Sequence, residues 1–226
     1  MIERRADDLR TKSEAARAFV HQGSGRVLLA AAIGLALARI GVGRFRPADV
    51  VLVVVVVALI GPFEWLLHRL LLHAPAGSVR MRRLHTGTGH VEHHKDPGEL
   101  TWLMLGWREA SAFTLVLGVL SAIFALVAAA LLDASAPALF VTAWTVAAAS
   151  LLHYEWTHLL VHTRYRCRSR HYHRLQQHHR LHHYRNEHYW LGVTVRTGDR
   201  LFHTMPERGA VEASPTARSL SASARS

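Results

Sequence analysis

The chain has next to no cysteine: Cys167 stands alone in 226 residues. An internal disulfide is therefore excluded, and a cysteine metal site is not expected. Charge is also scarce. Only 19% of residues are charged against 50% hydrophobic, and the hydrophobic ones are bunched into long runs, which argues for a membrane protein over a soluble one. Acidic residues are the rarer sign, 16 against 27 basic, for a net charge of +11. In a soluble chain that excess would suit nucleic acid. Flanking apolar runs, it reads as arginine collected on the cytoplasmic side of a bilayer, and no nucleic-acid partner is expected. The first 25 residues are charged rather than apolar, so no cleavable signal peptide is expected.

Residues 1–25 form a polar leader with a short helix expected over 9–22. Its thin apolar face (Leu9, Ala16, Phe19, Val20) suits either the membrane surface or a solvated segment. The first apolar run, 27–42, is interrupted by Arg39 and falls short of the roughly 20 residues a full span prefers. Arg44, Arg46, Pro47 and Asp49 make a turn. The second run, 50–63, continues without a turn signal through Glu64 to His73 and stops at Ala74-Pro75. Residues 74–109 are a polar connection, and 110–132 form an uncharged third span. Asp133 to Pro137 make a hairpin, and 138–152 return as a fourth span that continues into His153 to His162. An even number of spans places both histidine stretches on one side, which the arginine count assigns to the cytoplasm. Arg39, Arg44 and Arg46 count against that orientation, a conflict that helices crossing only part of the bilayer would relieve. The resulting division is a leader over 1–25, a membrane domain over 26–206, and a Ser/Ala-rich tail over 207–226 with no periodic apolar pattern, expected to be disordered.

What the chain has in abundance is histidine. Of 18, all but His21 lie between His68 and His203. Ten form four regularly spaced groups: His68-x4-His73, His90-x2-His93-His94, His158-x3-His162 and His179-x2-His182-His183. Residues at i, i+3 and i+4 share one helix face, so the last three groups each point to one side. A five-residue step overshoots a regular helix face by about 140°. A π-bulge, or fraying before Pro75, would bring His68 and His73 together. Any one histidine is ordinarily a surface or hydrogen-bonding residue, but four spaced groups on one membrane face point to metal. Ten imidazoles are too many for one site and suit two metals with about five each, leaving room for oxygen or water. Imidazole accommodates zinc, copper, iron and nickel, but an open, dry pair beside lipid makes sense for a redox metal. Carboxylates near the groups are few: Glu64, Glu92, Glu155 and Glu187. Glu64, four residues before His68, shares its face and is expected to orient that ring. His85 and His153 are the other candidates for a supporting role, and no catalytic residue apart from the metal ligands is expected.

At these residues the sequence resembles the membrane fatty acid hydroxylase/sterol desaturase superfamily, whose histidine motifs are all present in order. It looks closest to fatty acid 2-hydroxylases at Phe63-Glu64-Trp65-Leu66-Leu67-His68-Arg69 and Tyr154-Glu155-Trp156-Thr157-His158. The closing segments Leu191-Gly192-Val193-Thr194 and Asp199 to Thr204 are also similar. Two departures stand out. Gly198-Asp199 replaces the family's usual Trp-Asp, and the cytochrome b5 domain fused to several members is not seen here. The resemblance implies an all-α membrane four-helix bundle with a cytosolic histidine-rich helical cap holding a dinuclear site. It also implies two iron ions (zinc being possible in the isolated protein), dioxygen as co-substrate, and attack on a lipid C–H bond.

The sequence therefore predicts an integral-membrane, multi-pass hydroxylase of a fatty acyl chain. No glycine-rich dinucleotide fingerprint follows a strand. Electrons must then come from an external donor, and a basic surface suits an acidic ferredoxin or a cytochrome b5. A carotenoid or sterol hydroxylase or desaturase is the alternative within the class. A non-catalytic membrane metal-binding protein is the alternative outside it, disfavoured because the histidines sit at the ends of the spans rather than within them.

Overall fold

A computed structural model describes residues 5–73 and 85–220, with side chains from residue 89 in the second segment. Among the described residues the regular structure is entirely helical. In chain order the helices are α1 (Lys12–His21), α2 (Gly23–Gly41), α3 (Pro47–Leu67), α4 (His85–Lys95), α5 (Leu100–Leu103), α6 (Trp107–Leu132), α7 (Ala136–His162), α8 (Arg170–Tyr184) and α9 (Thr197–Leu201). A π-helical turn over His68–Leu72 prolongs α3. Four segments are long and apolar enough to cross a membrane: Gly23–Gly41, Pro47–Leu72, Leu100–Leu132 and Ala136–His162. At 19 residues, α2 spans about 28 Å, close to the hydrocarbon thickness, so length does not require a partial crossing.

The chain divides into two compact units. One comprises Val20–Ile60 and Gly106–Glu155; the other comprises Met1–Phe19, Gly61–Leu105 and Trp156–Ser226 and contains all ten grouped histidines.

In the first unit, Leu52 of α3 packs with Ala125 of α6 and with Leu139 and Ala143 of α7. The outward faces are apolar: Val54, Leu115, Val119 and Leu126 are each more than 60% exposed, as helices bathed in lipid require. Trp144 Nε1 donates to the Thr114 carbonyl at 2.9 Å. The charge that interrupts the first apolar run is accounted for here. Arg39, 3% exposed, lies 3.1 Å from Asp49, and both meet the Thr142 hydroxyl at 2.6 Å. Arg39 is thus paired inside the unit, which makes its place in an apolar run tolerable. The α6–α7 hairpin turns on Asp133, whose φ of 46° is the left-handed conformation that ends a helix.

The second unit reaches further along the chain than the sequence predicts. The leader is neither solvated nor on its own: Ala6, Leu9, Ala15 and Phe19 are buried. Ala6 N–H donates to the Gly98 carbonyl at 2.8 Å, Arg5 pairs with Asp96, and Phe19 packs edge-on to Trp156. The tail also differs from the expected disorder as far as Leu220, while 221–226 lie outside the described residues. Its order comes from point hydrogen bonds rather than an apolar face, so hydrophobic periodicity carries no signal of it.

Candidate metal centre

Four helical elements converge on the histidine unit. The π turn presents His68 and His73, α4 presents His90, His93 and His94, α7 presents His158 and His162, and α8 presents His179, His182 and His183. The five-residue spacing is resolved by the π turn itself. His73 N–H donates to the His68 carbonyl at 3.0 Å, an i→i+5 bond, and the two rings come to 4.9 Å. Helix α8 starts at Ser169, whose hydroxyl accepts from His171 N–H at 3.2 Å. Helix α4 ends at Asp96-Pro97, where proline disfavours helical backbone in the residue before it.

The ten rings fall into two nests. His68, His73, His90, His94 and His182 form nest A; His93, His158, His162, His179 and His183 form nest B; the ligand atoms within each lie within 4.8 Å of one another. This corrects one sequence expectation. The three histidines of each x2-HH group do not serve one side together. The i and i+4 members enter one nest and the i+3 member enters the other: His90 and His94 go to A with His93 to B, and His179 and His183 go to B with His182 to A. The roughly 100° per residue of a helix separates adjacent rings enough to reach two centres.

The residues fit a pair of ions. Two imidazole nitrogens bound at about 2.1 Å lie about 3.0 Å apart at right angles and about 4.2 Å apart when opposite. Ring nitrogens here approach to 3.2 Å (His68–His90), 3.0 Å (His90–His73), 2.9 Å (His179–His162) and 3.0 Å (His183–His179). Both nitrogens of His93 and Nε2 of His94 and His182 are buried without a hydrogen-bond partner, which protein interiors avoid unless something else satisfies the atom. The tautomers are also set. Nδ1 of His68, His94 and His182 lies 2.6, 2.8 and 2.9 Å from the carbonyls of Leu191, Ala217 and Tyr189. A carbonyl only accepts, so each Nδ1 carries the proton and each Nε2 lone pair faces nest A. Burial, reinforced by neighbouring rings, holds His73, His90, His93, His179, His182 and His183 well below 6.5. Burial likewise pushes His94 down to about 3. The rings are thus neutral at pH 7 and available as ligands.

The loop after α8 holds nest A from behind. Asp199 is fully buried and accepts from Leu191 N–H (2.9 Å), Gly192 N–H (2.7 Å), His178 Nε2 (2.8 Å) and the Thr204 hydroxyl (2.6 Å). Burial pushes its carboxyl up, but these donors outweigh burial and keep it below the ordinary aspartate value. A side chain at Gly192 would strike Asp199 Oδ2 at 2.9 Å, so glycine lets the backbone approach. At Gly198 a Cβ would meet Trp65 Cβ at 2.7 Å, so tryptophan does not fit where the resemblance leads one to expect it. Trp65 instead stacks on Phe202 at 4.1 Å and donates to Thr204 at 2.8 Å.

The supporting residues expected from sequence fare differently. Glu64 is buried, but it does not orient His68 directly. It accepts from Thr194 N–H (3.1 Å), Val193 N–H (3.4 Å) and the Thr194 hydroxyl, and so fixes the loop whose Leu191 carbonyl holds His68. His153 is exposed and belongs to neither nest. The His85 side chain lies outside the described residues. The Asp199–His178 pair was missed as a support. Its sequence signal was the likeness of the closing segments Leu191 to Thr194 and Asp199 to Thr204, which marked the stretch without giving Asp199 or His178 a role.

Against known families, the profile described as fatty acid hydroxylase matches residues 52–204. The chain belongs to the fatty acid hydroxylase family. The match takes in all ten nest histidines, Glu64 and Asp199, and it ends before the tail. No curated protein and no solved structure matches the chain. Family and apolar helices together make this fatty acid hydroxylase family member an integral membrane protein with a histidine-rich site able to hold metal.

Proposed function

We propose that this fatty acid hydroxylase family member is a di-iron, dioxygen-dependent monooxygenase that hydroxylates a fatty acyl chain, with its histidine unit facing the cytoplasm. The observation that carries this reading is the pair of five-histidine nests, with ring nitrogens 2.9–3.2 Å apart and buried nitrogens lacking partners. The ten nest histidines are the ligands. Iron bound there would supply the oxygen chemistry: substrate C–H, O2, two electrons and two protons become C–OH and water.

The chain's own part is positioning. The Leu191, Tyr189 and Ala217 carbonyls keep protons on Nδ1 and lone pairs on Nε2. Glu64 and Asp199 fix the intervening loop from two sides. Burial of the rings excludes water from the reacting centre. The lipid-facing helices suit an apolar substrate drawn from the bilayer. With no dinucleotide fingerprint in the sequence, an external ferredoxin or cytochrome b5 provides the electrons. The motif likeness favours 2-hydroxylation.

The test is lipid profiling of a host with and without the gene, alongside metal analysis of purified protein. About two irons per chain and new 2-hydroxy fatty acids are expected. Hydroxylated carotenoids or sterols would move the substrate assignment. Full turnover by metal-free protein would end the reading.

A further inference from the structure

We infer that the segment after the family-matched region, residues 211–218, is a working part of nest A. This rests on the metal-binding reading above, but the segment lies beyond the match that ends at residue 204.

Among the described residues, His68, His94 and His182 of nest A have Nδ1 held by a backbone carbonyl. Two of those carbonyls, Tyr189 and Leu191, lie inside the matched region. The third, Ala217, lies outside it and meets His94 Nδ1 at 2.8 Å. Ala217 is itself 3% exposed. Its position is fixed on both sides. Upstream, Ser214 N–H donates to the Arg185 carbonyl at 2.7 Å, and Arg185 Nε donates to the Val211 carbonyl at 2.7 Å. One residue before Ala217, the Thr216 hydroxyl donates to Glu187 Oε1 at 2.6 Å; one residue after, Arg218 donates to the Lys95 carbonyl at 2.8 Å. Arg218 also lies over the Tyr184 ring. Arg185 and Glu187 follow α8 and Lys95 ends α4, so the strand of chain ties together the two helices that each serve both nests.

The chemistry gives these contacts a purpose. Without an acceptor at Nδ1, the His94 proton has no reason to stay there, and a ring with its proton on Nε2 offers the nest no lone pair. A carbonyl in that position also raises ligand basicity and fixes ring rotation. Removal of such partners typically weakens metal binding about 10–100-fold. Ala217 is therefore a positioning residue that acts through His94, and it selects nest A over nest B.

The experiment is iron(II) titration of the purified full chain and of three variants against a competing chelator, with circular dichroism to check helix content. The full chain binds two ions. Deletion of 221–226 leaves both unchanged, because every contact named above is kept. Deletion of 211–226 keeps one tight ion and weakens the other about 10–100-fold, with helicity retained. If that deletion fails to fold, the Thr216→Val/Arg218→Ala variant decides, with selective weakening of one ion by about tenfold expected. Two ions held as tightly as in the parent by either variant overturn the inference while leaving the di-iron reading intact. A parent that binds no metal overturns both.

Discussion

Replacing Asp199 by alanine asks how firmly the loop behind nest A is built. Four donors converge on this carboxylate between 2.6 and 2.9 Å; His178, Leu191 and Gly192 are buried and Thr204 is partly exposed. Two of them can adjust. The Thr204 hydroxyl can rotate, and His178 can move its proton to the other ring nitrogen. The Leu191 and Gly192 N–H groups cannot, since both are backbone. A buried donor stripped of its acceptor costs about 1–3 kcal/mol, so the two together put Asp199→Ala at about 4 kcal/mol. Asp199→Asn keeps one oxygen for Leu191 and Thr204 but turns an NH2 toward Gly192 N–H, for about 2 kcal/mol. The same loop carries the Leu191 carbonyl that sets the His68 tautomer, so loss of stability and loss of nest A affinity go together. Denaturant unfolding in detergent, followed by tryptophan fluorescence, reads the first effect, and iron titration reads the second. An alanine variant within about 0.5 kcal/mol of the parent, with both ions bound normally, would refute the account of this loop.

Two further outcomes follow from burial. In the metal-free protein His73, His90, His93, His94, His179, His182 and His183 all have folded pKa values below 6.5. The unfolded chain therefore takes up protons that the folded chain does not. Stability is present above about pH 6.5 and is lost as pH falls through that value, with a slope of up to about 1.4 kcal/mol per group per pH unit. A melting temperature unchanged between about pH 7.5 and 5.5 would contradict this sign. In the other unit, Arg39→Ala strands the buried Asp49 carboxylate and is expected to cost about 3–5 kcal/mol, whereas the Arg39→Met/Asp49→Leu double variant should recover most of that in the same unfolding assay.

The helices and the ten grouped histidines were legible because their signals are local. Long apolar runs declare spans, and the spacing of His90, His93 and His94 declares a helix. Even the awkward step from His68 to His73 signalled an irregular turn, since no regular helix brings both rings round, and of a π-bulge and fraying before Pro75 it is the π turn that forms. What stayed hidden depends on where a helix sits relative to its neighbours. That His93 and His94 part company is invisible in a one-face projection, which treats a helix as having a single partner. Glu64 was read as a companion of His68 because they are four apart, yet its bonds run to Thr194, 130 residues away. The tail gave no sign at all, because a strand of chain held by backbone groups and a few single side chains such as Thr216 and Arg218 needs no periodic side-chain pattern.

The division of adjacent histidines between nests turns α4 and α8 into a shared reading frame. One residue inserted ahead of His93 in α4, or ahead of His182 in α8, would rotate the following rings by about 100°, handing His93 or His182 to the wrong centre and turning His94 or His183 away from both. Neither nest has a helix pair to itself, so a twist of α4 or α8 reaches both. The two positions are mechanically yoked, and any change in this chain that retunes one of them must be answered on the opposite side of the same helices.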